Sequence, residues 1–501
     1  MTNRAAALVA RAREDGAKAA LVFEGASISF AELFEHVRQL AAGFAALGIG
    51  KGSHVGLMLK SSPEFIAAQQ ALFALGAVIT PVNIMYRPTE VAHAVASCAL
   101  GWLVAESDLV PELSALSCSV LPLSAIPVRA ESDRPFNLAE VGDTDPAMLL
   151  LTSATTGKAK GVVLTAGNLA ANYDRTPGWL GLDHDTVIYC ALPLYNTFGL
   201  NQCINAMLVT GATMVLSPRF AADQCIAAIA QYGCTFLPAV PTMLQRIIDH
   251  PDASRETLGS LTRIMTGGAP VPSAMLRRLV ALAPHVKVLT GYGLTEATAL
   301  VTLTAITLGA DGQIEKDRSI GRVLDGMELV IVGDDGTRRG TDEVGEIVLR
   351  GPNIMSGYFR APEDTAAALD GQWLHTGDIG YLDADGYAFI VDRKKDLIIR
   401  GGQNIYPADI EEALYQVDGV AEAAAIGIAD DKLGEVPVAF VSGRPGVELS
   451  VETLMHHCAD ALAFYKRPVA IYIRAELPKG PTGKILRRGL RPEKPDLVAD
   501  S

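Results

Sequence analysis

The sequence predicts an α/β protein with a large N-terminal domain of mainly parallel sheets flanked by helices, a smaller β layer, and a small C-terminal α+β domain. Short apolar runs alternate with amphipathic stretches through the first half of the chain, which is typical of parallel sheets. Between residues 328 and 350, β-branched runs separated by Gly- and Asp-rich turns predict antiparallel hairpins. A charged stretch at residues 392–396 then divides the chain into a large domain, 1–392, and a compact module, 396–501.

The elements of the large domain follow from local signals. Ser29, with Glu32 three residues later and an apolar stripe beyond, predicts a capped amphipathic helix. Residues 54–59 read as a buried strand, Pro63 begins another helix, and residues 77–82 give the next strand. The same alternation returns at 186–192, 207–216, 235–238, 263–267 and 287–290.

The C-terminal module repeats the mixture of helices and strands on a smaller scale. A helix is predicted from Pro407 through Tyr415, and another from Val451. Two strands are predicted at residues 423–428 and 436–441. This pattern indicates a separate α+β unit.

Composition excludes several classes of protein. The 501 residues are 49% hydrophobic and carry a formal charge of −14, which argues against nucleic-acid and anionic-membrane partners. Seven cysteines without paired spacing favour a reducing compartment, so we expect a cytoplasmic protein. The N-terminus has no secretory apolar region, and the most apolar window, 65–82, contains Gln69 and Gln70. That window predicts a buried helix and strand, and no membrane span.

One loop, residues 151–161, has the composition of a phosphate-binding cradle. Its glycines allow close backbone approach, and its hydroxyls and two lysines suit anionic oxygens; the residues concerned are Thr152, Ser153, Thr155, Thr156, Gly157, Lys158 and Lys160. A flexible turn is the alternative. A P-loop of the NTPase type is excluded, because Ala159 stands where Ser or Thr is required and a strand follows instead of a helix.

Two more loops follow successive predicted strands. In the loop 290–296, Tyr292 between Gly291 and Gly293 could stack on a base, and Glu296 could hold Mg²⁺. The loop 266–270 offers bare backbone to a planar ring. Each alone could be a simple turn, but both should lie at the carboxyl edge of the sheet, where ligands bind in open α/β folds.

Two further residues are candidates for the same ligand. Asp378 follows a glycine and could accept hydrogen bonds from a ribose diol, although a turn residue is the simpler interpretation. Lys484, in a Gly- and Pro-rich loop, could reach a phosphoryl group only if the small domain closes over the large one. A solvated surface lysine is the alternative.

Taken in this order, the loops resemble those of the adenylate-forming superfamily, which includes acyl- and aryl-CoA synthetases. The resemblance covers residues 28–485. It implies ATP, Mg²⁺, a carboxylic acid substrate and coenzyme A. It also implies two half-reactions, in which the acid becomes an acyl-AMP with release of pyrophosphate and the acyl group then forms a thioester.

The resemblance also implies a role for each matching residue. Thr152, Ser153, Thr155, Thr156, Gly157 and Lys160 would contact the β- and γ-phosphates. Tyr292, in the loop of Gly291 and Gly293, would sandwich adenine with Gly268, Ala269 and Pro270, while Thr295 would touch phosphate and Glu296 would carry Mg²⁺. Asp378 and Arg393 match ribose-binding positions, and Lys395 matches the hinge of a mobile C-terminal domain. Lys484 matches the catalytic lysine of the adenylation step, and Gly402 matches a glycine that lines the coenzyme A tunnel. Asn196, Phe198, Val240, Gly267 and Ala297 would surround the acyl group.

The chain departs from the family pattern at three positions. Ala154 and Ala159 stand where Gly and Pro are usual, from which we expect slower adenylation. Asn196 stands where many CoA synthetases have His, which affects gating of the acyl pocket. No Asp is present nearby to pair with the ammonium of an amino acid, which disfavours that substrate class.

Three functions therefore remain open from the sequence. The first is a CoA ligase for a hydrophobic carboxylic acid. The second is an adenylate ligase that loads a separate acyl carrier protein, and the third is a nucleotide-binding relative without catalysis. The presence of Glu296 and Lys484 favours an active enzyme over the third.

Overall fold

The computed structural model confirms the α/β fold and describes residues 3–127, 136–152, 160–268, 271–394, 396–444, 446–479 and 485–491. Within these residues the strands form sheets of fourteen, seven and five strands. We call them the large, second and C-terminal sheets.

The large sheet has parallel strands at its centre and antiparallel strands toward both ends. In spatial order its strands are Glu328–Val332, Gly345–Arg350, Trp373–Leu382, Ala388–Arg393, Ser319–Val323, Thr302–Ala305, Lys287–Gly291, Arg263–Gly267, Phe236–Ala239, Val187–Cys190, Thr213–Leu216, Ala19–Phe23 and Ala26–Ser29, with Leu369–Asp370 paired to Trp373–Leu382. The hairpin predicted between 328 and 350 is present, and it is hydrogen-bonded to the rest of this sheet.

The second sheet is parallel except at one edge. Its order is Gly357–Tyr358, Gly161–Thr165, Pro146–Leu151, Val78–Pro81, His54–Met58, Trp102–Ala105 and Ser119–Pro122. The strands Pro146–Leu151 and Gly161–Thr165 pair antiparallel, with Leu151 opposite Gly161. The predicted phosphate loop therefore connects two neighbouring strands of this sheet.

The C-terminal sheet consists of Gln403–Ile405, Ile398–Arg400, Gly434–Gly443, Val420–Asp430 and Ala470–Arg474. Its buried residues, among them Ile398, Leu414 and Leu454, form a cluster of their own. The largest cluster of buried residues lies in the N-terminal part of the chain and contains Phe44, Phe65 and Phe236.

Helices flank the sheets. The α-helices are Ala6–Glu14, Phe30–Ala46, Pro63–Ala74, Pro88–Cys98, Val110–Leu113, Ala166–Tyr173, Thr176–Leu180, Thr197–Gly199, Ala206–Thr210, Ala222–Tyr232, Pro241–Ile248, Ser273–Leu282, Pro362–Ala368, Pro407–Tyr415 and Val451–Ala461. A π-helix spans Leu200–Asn205, and short 3-10 turns occur at Leu123–Ala125, Thr295–Ala297, Phe464–Lys466 and Arg487–Gly489. In the described part of the chain, no helix has the length and apolarity needed to cross a membrane.

Local signals account for most of these boundaries. Ser29 accepts a hydrogen bond from the Glu32 backbone N–H and completes the predicted capping box. The stretch 207–216, predicted as one element, is divided by Gly211, whose φ of 77° ends a helix before the strand Thr213–Leu216 begins.

Candidate active site

Four adjacent strands of the large sheet run parallel, so that their carboxyl ends meet at one edge. They are Lys287–Gly291, Arg263–Gly267, Phe236–Ala239 and Val187–Cys190. The loops that leave these ends carry the predicted adenine, metal and acyl-pocket residues. The prediction that successive loops share one edge of the sheet is confirmed.

The predicted acyl-pocket residues lie at or beyond the carboxyl ends of all four strands. Gly267 ends its strand, and Ala297 lies in the 3-10 turn Thr295–Ala297. Asn196 precedes the helix Thr197–Gly199, and Val240 precedes Pro241–Ile248. Phe198 and Val240 are half-buried against the core, while Ala297 is buried. An apolar set of this kind suits a hydrophobic ligand, and its role in binding an acyl group stays a prediction.

Glycine is required where the strands come closest. A Cβ at Gly267 would lie 2.9 Å from the carbonyl oxygen of Gly291 on the neighbouring strand. A Cβ at Gly293 would overlap the carbonyl oxygen of Ala299. Gly268 instead needs its left-handed φ of 77°. These glycines let the loop 291–296 fold back against the strand that follows it.

Tyr292 is fixed by this fold. Its carbonyl oxygen accepts hydrogen bonds from the N–H groups of Val301 and Thr302, at 2.8 and 3.1 Å. Its hydroxyl donates to Asp378 Oδ2 at 2.5 Å. Burial, and then the charge of Asp378, raise the pKa of Tyr292 well above its usual value, so the phenol stays protonated and donates.

Asp378 lies within a strand and is not a turn residue. It is 5% exposed and stands opposite Arg393 on the neighbouring strand. The Arg393 Nε lies 3.2 Å from Asp378 Oδ1. The structure thus brings together the aromatic residue predicted for adenine and the two residues predicted for ribose.

Glu296 stands in a 3-10 turn whose backbone is held from a distant segment. The Met355 N–H donates to the Glu296 carbonyl at 2.8 Å. Thr298, buried and with a left-handed φ of 69°, donates from its hydroxyl to the Asn353 carbonyl at 2.6 Å. The buried Asn353 side chain donates in return to the Ala297 carbonyl at 2.9 Å. The position of Glu296 is therefore set by tertiary contacts.

A chain of side-chain contacts joins Glu296 to Lys160. The Tyr358 hydroxyl donates to Glu296 Oε1 at 2.9 Å, and the Lys160 Nζ lies over the Tyr358 ring, 5.1 Å from its centroid. Asp364 accepts a short hydrogen bond from the same Nζ. Burial, followed by the charge of Glu296, raises the pKa of Tyr358. Sequence reasoning found Glu296 and Lys160 but missed Tyr358 and Asp364.

The two ends of the predicted phosphate loop, Thr152 and Lys160, are among the described residues, but the residues between them are not. The Lys160 N–H donates to Thr152 Oγ1 at 3.2 Å, and the Thr152 N–H donates to the Lys160 carbonyl at 3.0 Å. These bonds close the base of the loop. Other predicted site residues lie outside the described residues: Ser153, Thr155, Thr156, Gly157, Ala269, Pro270, Lys395 and Lys484.

Gly402 lies in the C-terminal sheet. It is exposed, with a left-handed φ of 79°, between the paired strands Ile398–Arg400 and Gln403–Ile405 of the C-terminal sheet. Its predicted place in a coenzyme A tunnel stays a prediction.

The residues present fit Mg²⁺ bound with a nucleotide. Across the described ranges, the Glu296 carboxylate is paired with no Lys or Arg and accepts a hydrogen bond from a neutral phenol, so its charge is available to a cation. No cluster of three or more potential metal-binding side chains occurs in that part of the chain. Mg²⁺ is commonly held by one or two carboxylates with phosphate oxygens and water completing its shell, which matches a single glutamate.

Comparison with known proteins shows the family to which the chain belongs. The family model "AMP-binding enzyme" matches residues 8–359, and the model "AMP-binding enzyme C-terminal domain" matches residues 409–484. The chain is 34% identical to feruloyl-CoA synthase of Amycolatopsis sp, covering 96% of this chain and 97% of that protein. It is also 34% identical to 2-succinylbenzoate–CoA ligase of Bacillus pumilus, covering 97% of each.

Solved structures of CoA synthetases have a similar fold. The o-succinylbenzoate CoA synthetase of Bacillus subtilis in complex with its acyl-adenylate intermediate superposes with a TM-score of 0.88 at 30% identity, covering 97% of this chain and 98% of that one. The same synthetase in complex with ATP and magnesium ion gives a TM-score of 0.86 at 30% identity, covering 96% and 98%. This chain belongs to the AMP-binding enzyme family, in the acyl- and aryl-CoA synthetase branch of the adenylate-forming superfamily.

Proposed function

We propose that the protein is an AMP-forming acid–thiol ligase. It activates a hydrophobic carboxylic acid as an acyl-AMP, with release of pyrophosphate, and then transfers the acyl group to coenzyme A. One observation carries the proposal: Tyr292 and Arg393 both contact the Asp378 carboxylate, and the loop that holds Tyr292 continues to Glu296 at the carboxyl edge of the large sheet. The named CoA ligases among the relatives support the same activity.

The nucleotide is assigned to these residues. Asp378 and Arg393 bind the ribose, and Tyr292 lies against adenine together with Gly268, Ala269 and Pro270. The phosphate oxygens contact Thr295 and Lys160 together with Thr152, Ser153, Thr155, Thr156 and Gly157. When bound at Glu296, Mg²⁺ supplies positive charge that offsets the charge gathered on the phosphates.

Lys484 is assigned to the adenylation step. Attack of the carboxylate on the α-phosphate builds negative charge, and a preorganised donor at that point is worth about 3–4 kcal/mol. The same ammonium must leave before a thiol can reach the acyl carbon. We therefore assign residues 1–392 to the domain that binds ATP and acid, residues 396–501 to a mobile domain, and Lys395 to the hinge.

A partly buried ionic cluster joins residues on both sides of the proposed hinge. Arg487 donates to Glu411 at 2.7 Å and to Asp396 at 2.9 Å, and its Nη1 lies 4.0 Å from Asp392. Asp392, which is 5% exposed, accepts a hydrogen bond from the Ala408 N–H at 3.0 Å. Burial raises the pKa of Asp392 to about 6 despite the nearby Arg487. These contacts hold the segment beyond Lys484 against both flanks of the hinge.

The test is a panel of fatty and aromatic acids incubated with ATP, Mg²⁺ and coenzyme A, with mass detection of products. We expect AMP, pyrophosphate and a thioester with at least one acid, and acyl-AMP when coenzyme A is omitted. Release of ADP, or no product with any acid, contradicts the proposal. A parallel arm offers a carrier protein bearing phosphopantetheine instead of coenzyme A, and thioester formed only in that arm would identify the carrier as the acceptor.

A further inference from the structure

We propose that Tyr358 is a positioning residue for the metal and phosphate site. Its hydroxyl orients the Glu296 carboxylate, and its ring supports the Lys160 ammonium. This inference rests on the proposed function, which assigns Mg²⁺ to Glu296 and phosphate oxygens to Lys160. It adds a residue outside the loops that suggested that function.

The fold explains how Tyr358 reaches both groups. The short strand Gly357–Tyr358 pairs antiparallel with Gly161–Thr165, and Tyr358 stands opposite Val162. The Phe359 N–H also donates to the Gly161 carbonyl, at 2.8 Å. Tyr358 is therefore anchored on the strand that begins directly after Lys160. The tyrosine and the lysine share one rigid support.

The hydroxyl restricts the remaining freedom of Glu296. The backbone of Glu296 is already fixed by its bond from Met355, so what is left to order is the rotation of a long side chain. Ordering such a side chain costs up to about 1.5–2 kcal/mol. Among the residues that the structure describes, the Tyr358 hydroxyl is the hydrogen-bond partner of the Glu296 carboxylate. The hydrogen bond from the phenol thus orders part of the Glu296 side chain before a metal binds, which lowers the entropy lost on binding.

A phenol is well suited to this task because it is a neutral donor. A lysine or arginine in its place would compensate the charge of the carboxylate and compete with a cation. The hydroxyl occupies one position on Oε1 and leaves the other lone pairs of the carboxylate free. Hydrogen bonds of this kind, from a residue that does not itself touch the metal, orient metal-binding carboxylates.

The Tyr358 ring contributes separately to the site, by supporting the Lys160 ammonium. The Lys160 ammonium lies over the face of the Tyr358 ring, 5.1 Å from its centroid, and also donates a hydrogen bond to Asp364. The side chains of Lys160 and Asp364 are 38% and 46% exposed, so this ion pair is weak and exchangeable. The ammonium is therefore held near the ring but can exchange Asp364 for a phosphate oxygen.

The test compares the binding of Mn²⁺, a probe for Mg²⁺, to Tyr358→Phe and to wild type. Both proteins are saturated with a non-hydrolysable ATP analogue, and bound Mn²⁺ is measured by electron paramagnetic resonance. We expect Mn²⁺ to bind about 10-fold more weakly, because residues that orient metal ligands typically contribute at least that factor. The Mg²⁺ concentration for half-maximal pyrophosphate exchange should rise by a similar factor, with the KM of the acid unchanged. Unaltered Mn²⁺ binding overturns the proposal.

Tyr387→Phe is the matched control. Tyr387 also carries a lysine over its ring, Lys316 at 5.3 Å, but in the described part of the chain its hydroxyl is bonded to no carboxylate. We expect this variant to bind Mn²⁺ like wild type. A loss equal to that of Tyr358→Phe would mean that the effect is a general one of removing a tyrosine hydroxyl, and would overturn the assignment.

Glu296→Gln decides whether Tyr358 acts through Glu296. If it does, adding Tyr358→Phe to Glu296→Gln weakens Mn²⁺ binding no further. A further loss of the same size as in the single variant refutes that route. The Mn²⁺ measurement needs no turnover, so it stands apart from the acid panel: a wild type that forms no acyl-AMP refutes the proposed function but leaves this comparison to decide on Tyr358.

Discussion

Tyr292→Phe tests the contact on which the nucleotide site depends. The substitution removes one hydroxyl, which donates at 2.5 Å to Asp378, a carboxylate that is only 5% exposed. A hydrogen bond to a charged group contributes about 1.5–3 kcal/mol, and the phenyl ring keeps the packing of the original side chain. Because the bond is already present without nucleotide, most of that loss should fall on the stability of the free protein.

The magnitude can be stated as a temperature. With an unfolding entropy of about 2.1 cal/mol/K per residue and a domain of roughly 400 residues, 1 kcal/mol corresponds to about 1.2 °C, so the Tm should fall by about 2–4 °C. The loss of free energy of ATP binding should be smaller than the loss of stability. Among the described residues, Arg393 is then the remaining partner of the Asp378 carboxylate. We therefore expect the KM for ATP to rise by about 3–10-fold, which corresponds to roughly 0.7–1.4 kcal/mol.

Calorimetry of the free protein and pyrophosphate exchange at varied ATP measure the two effects. Tyr381→Phe is the control, since Tyr381 lies on the same strand as Asp378 but stacks on Phe389 with ring centroids 4.8 Å apart. An unchanged Tm together with an unchanged KM would show that the Tyr292 hydroxyl does not order Asp378. A large rise in the KM of the acid would place Tyr292 at the acyl group instead.

Three further predictions concern other parts of the chain. Gly293→Ala should lower pyrophosphate exchange by more than about 10-fold, since the added methyl group overlaps the Ala299 carbonyl; Gly178→Ala, where a Cβ meets open space, should have no effect. The Asp392 pKa of about 6, against 3.8 in the unfolded chain, means that its contribution to stability is complete below about pH 3.8 and is lost as the pH rises through 6. The unfolding free energy of wild type minus that of Asp392→Asn, measured by hydrogen exchange of the C-terminal domain, should therefore fall by about 2–3 kcal/mol from pH 4 to pH 7, and a constant value would contradict the burial of its charge. Lys484→Ala should slow pyrophosphate exchange about 100-fold or more, and an unchanged rate would refute its role in adenylation.

Local signals were sufficient to predict much of the fold. The strand Arg263–Gly267 was predicted with both of its boundaries, and the helix Phe30–Ala46 with its start at the Ser29 cap, because apolar spacing and caps are encoded within a few residues. The stretch 207–216 was not divided, since an apolar run in a buried helix has no polar face to reveal its period. There the break is encoded by Gly211.

The site was predicted in part for the same reason. Tyr292, Asp378 and Glu296 stand in short motifs that can be recognised in one sequence. Tyr358 and Asp364 do not, because their partners are remote: Lys160 and Asp364 are separated by 204 positions. The pair Gly357 and Tyr358 before a Pro-Glu-Asp helix start was a weak signal, and it could not have shown which groups the ring would touch.

The segment from Asn353 to Tyr358 connects the two sheets of the N-terminal part. At one end it holds the turn of Glu296 on the large sheet, and at the other it adds a strand to the second sheet. When related sequences are recombined, crossovers should therefore not separate this segment from the turn of Glu296. A chimera with a crossover between 298 and 353 inherits Glu296 and Thr298 from one parent and their partners from the other. Crossovers placed before Glu296 or after Tyr358 keep these pairs together and are expected to yield active proteins more often.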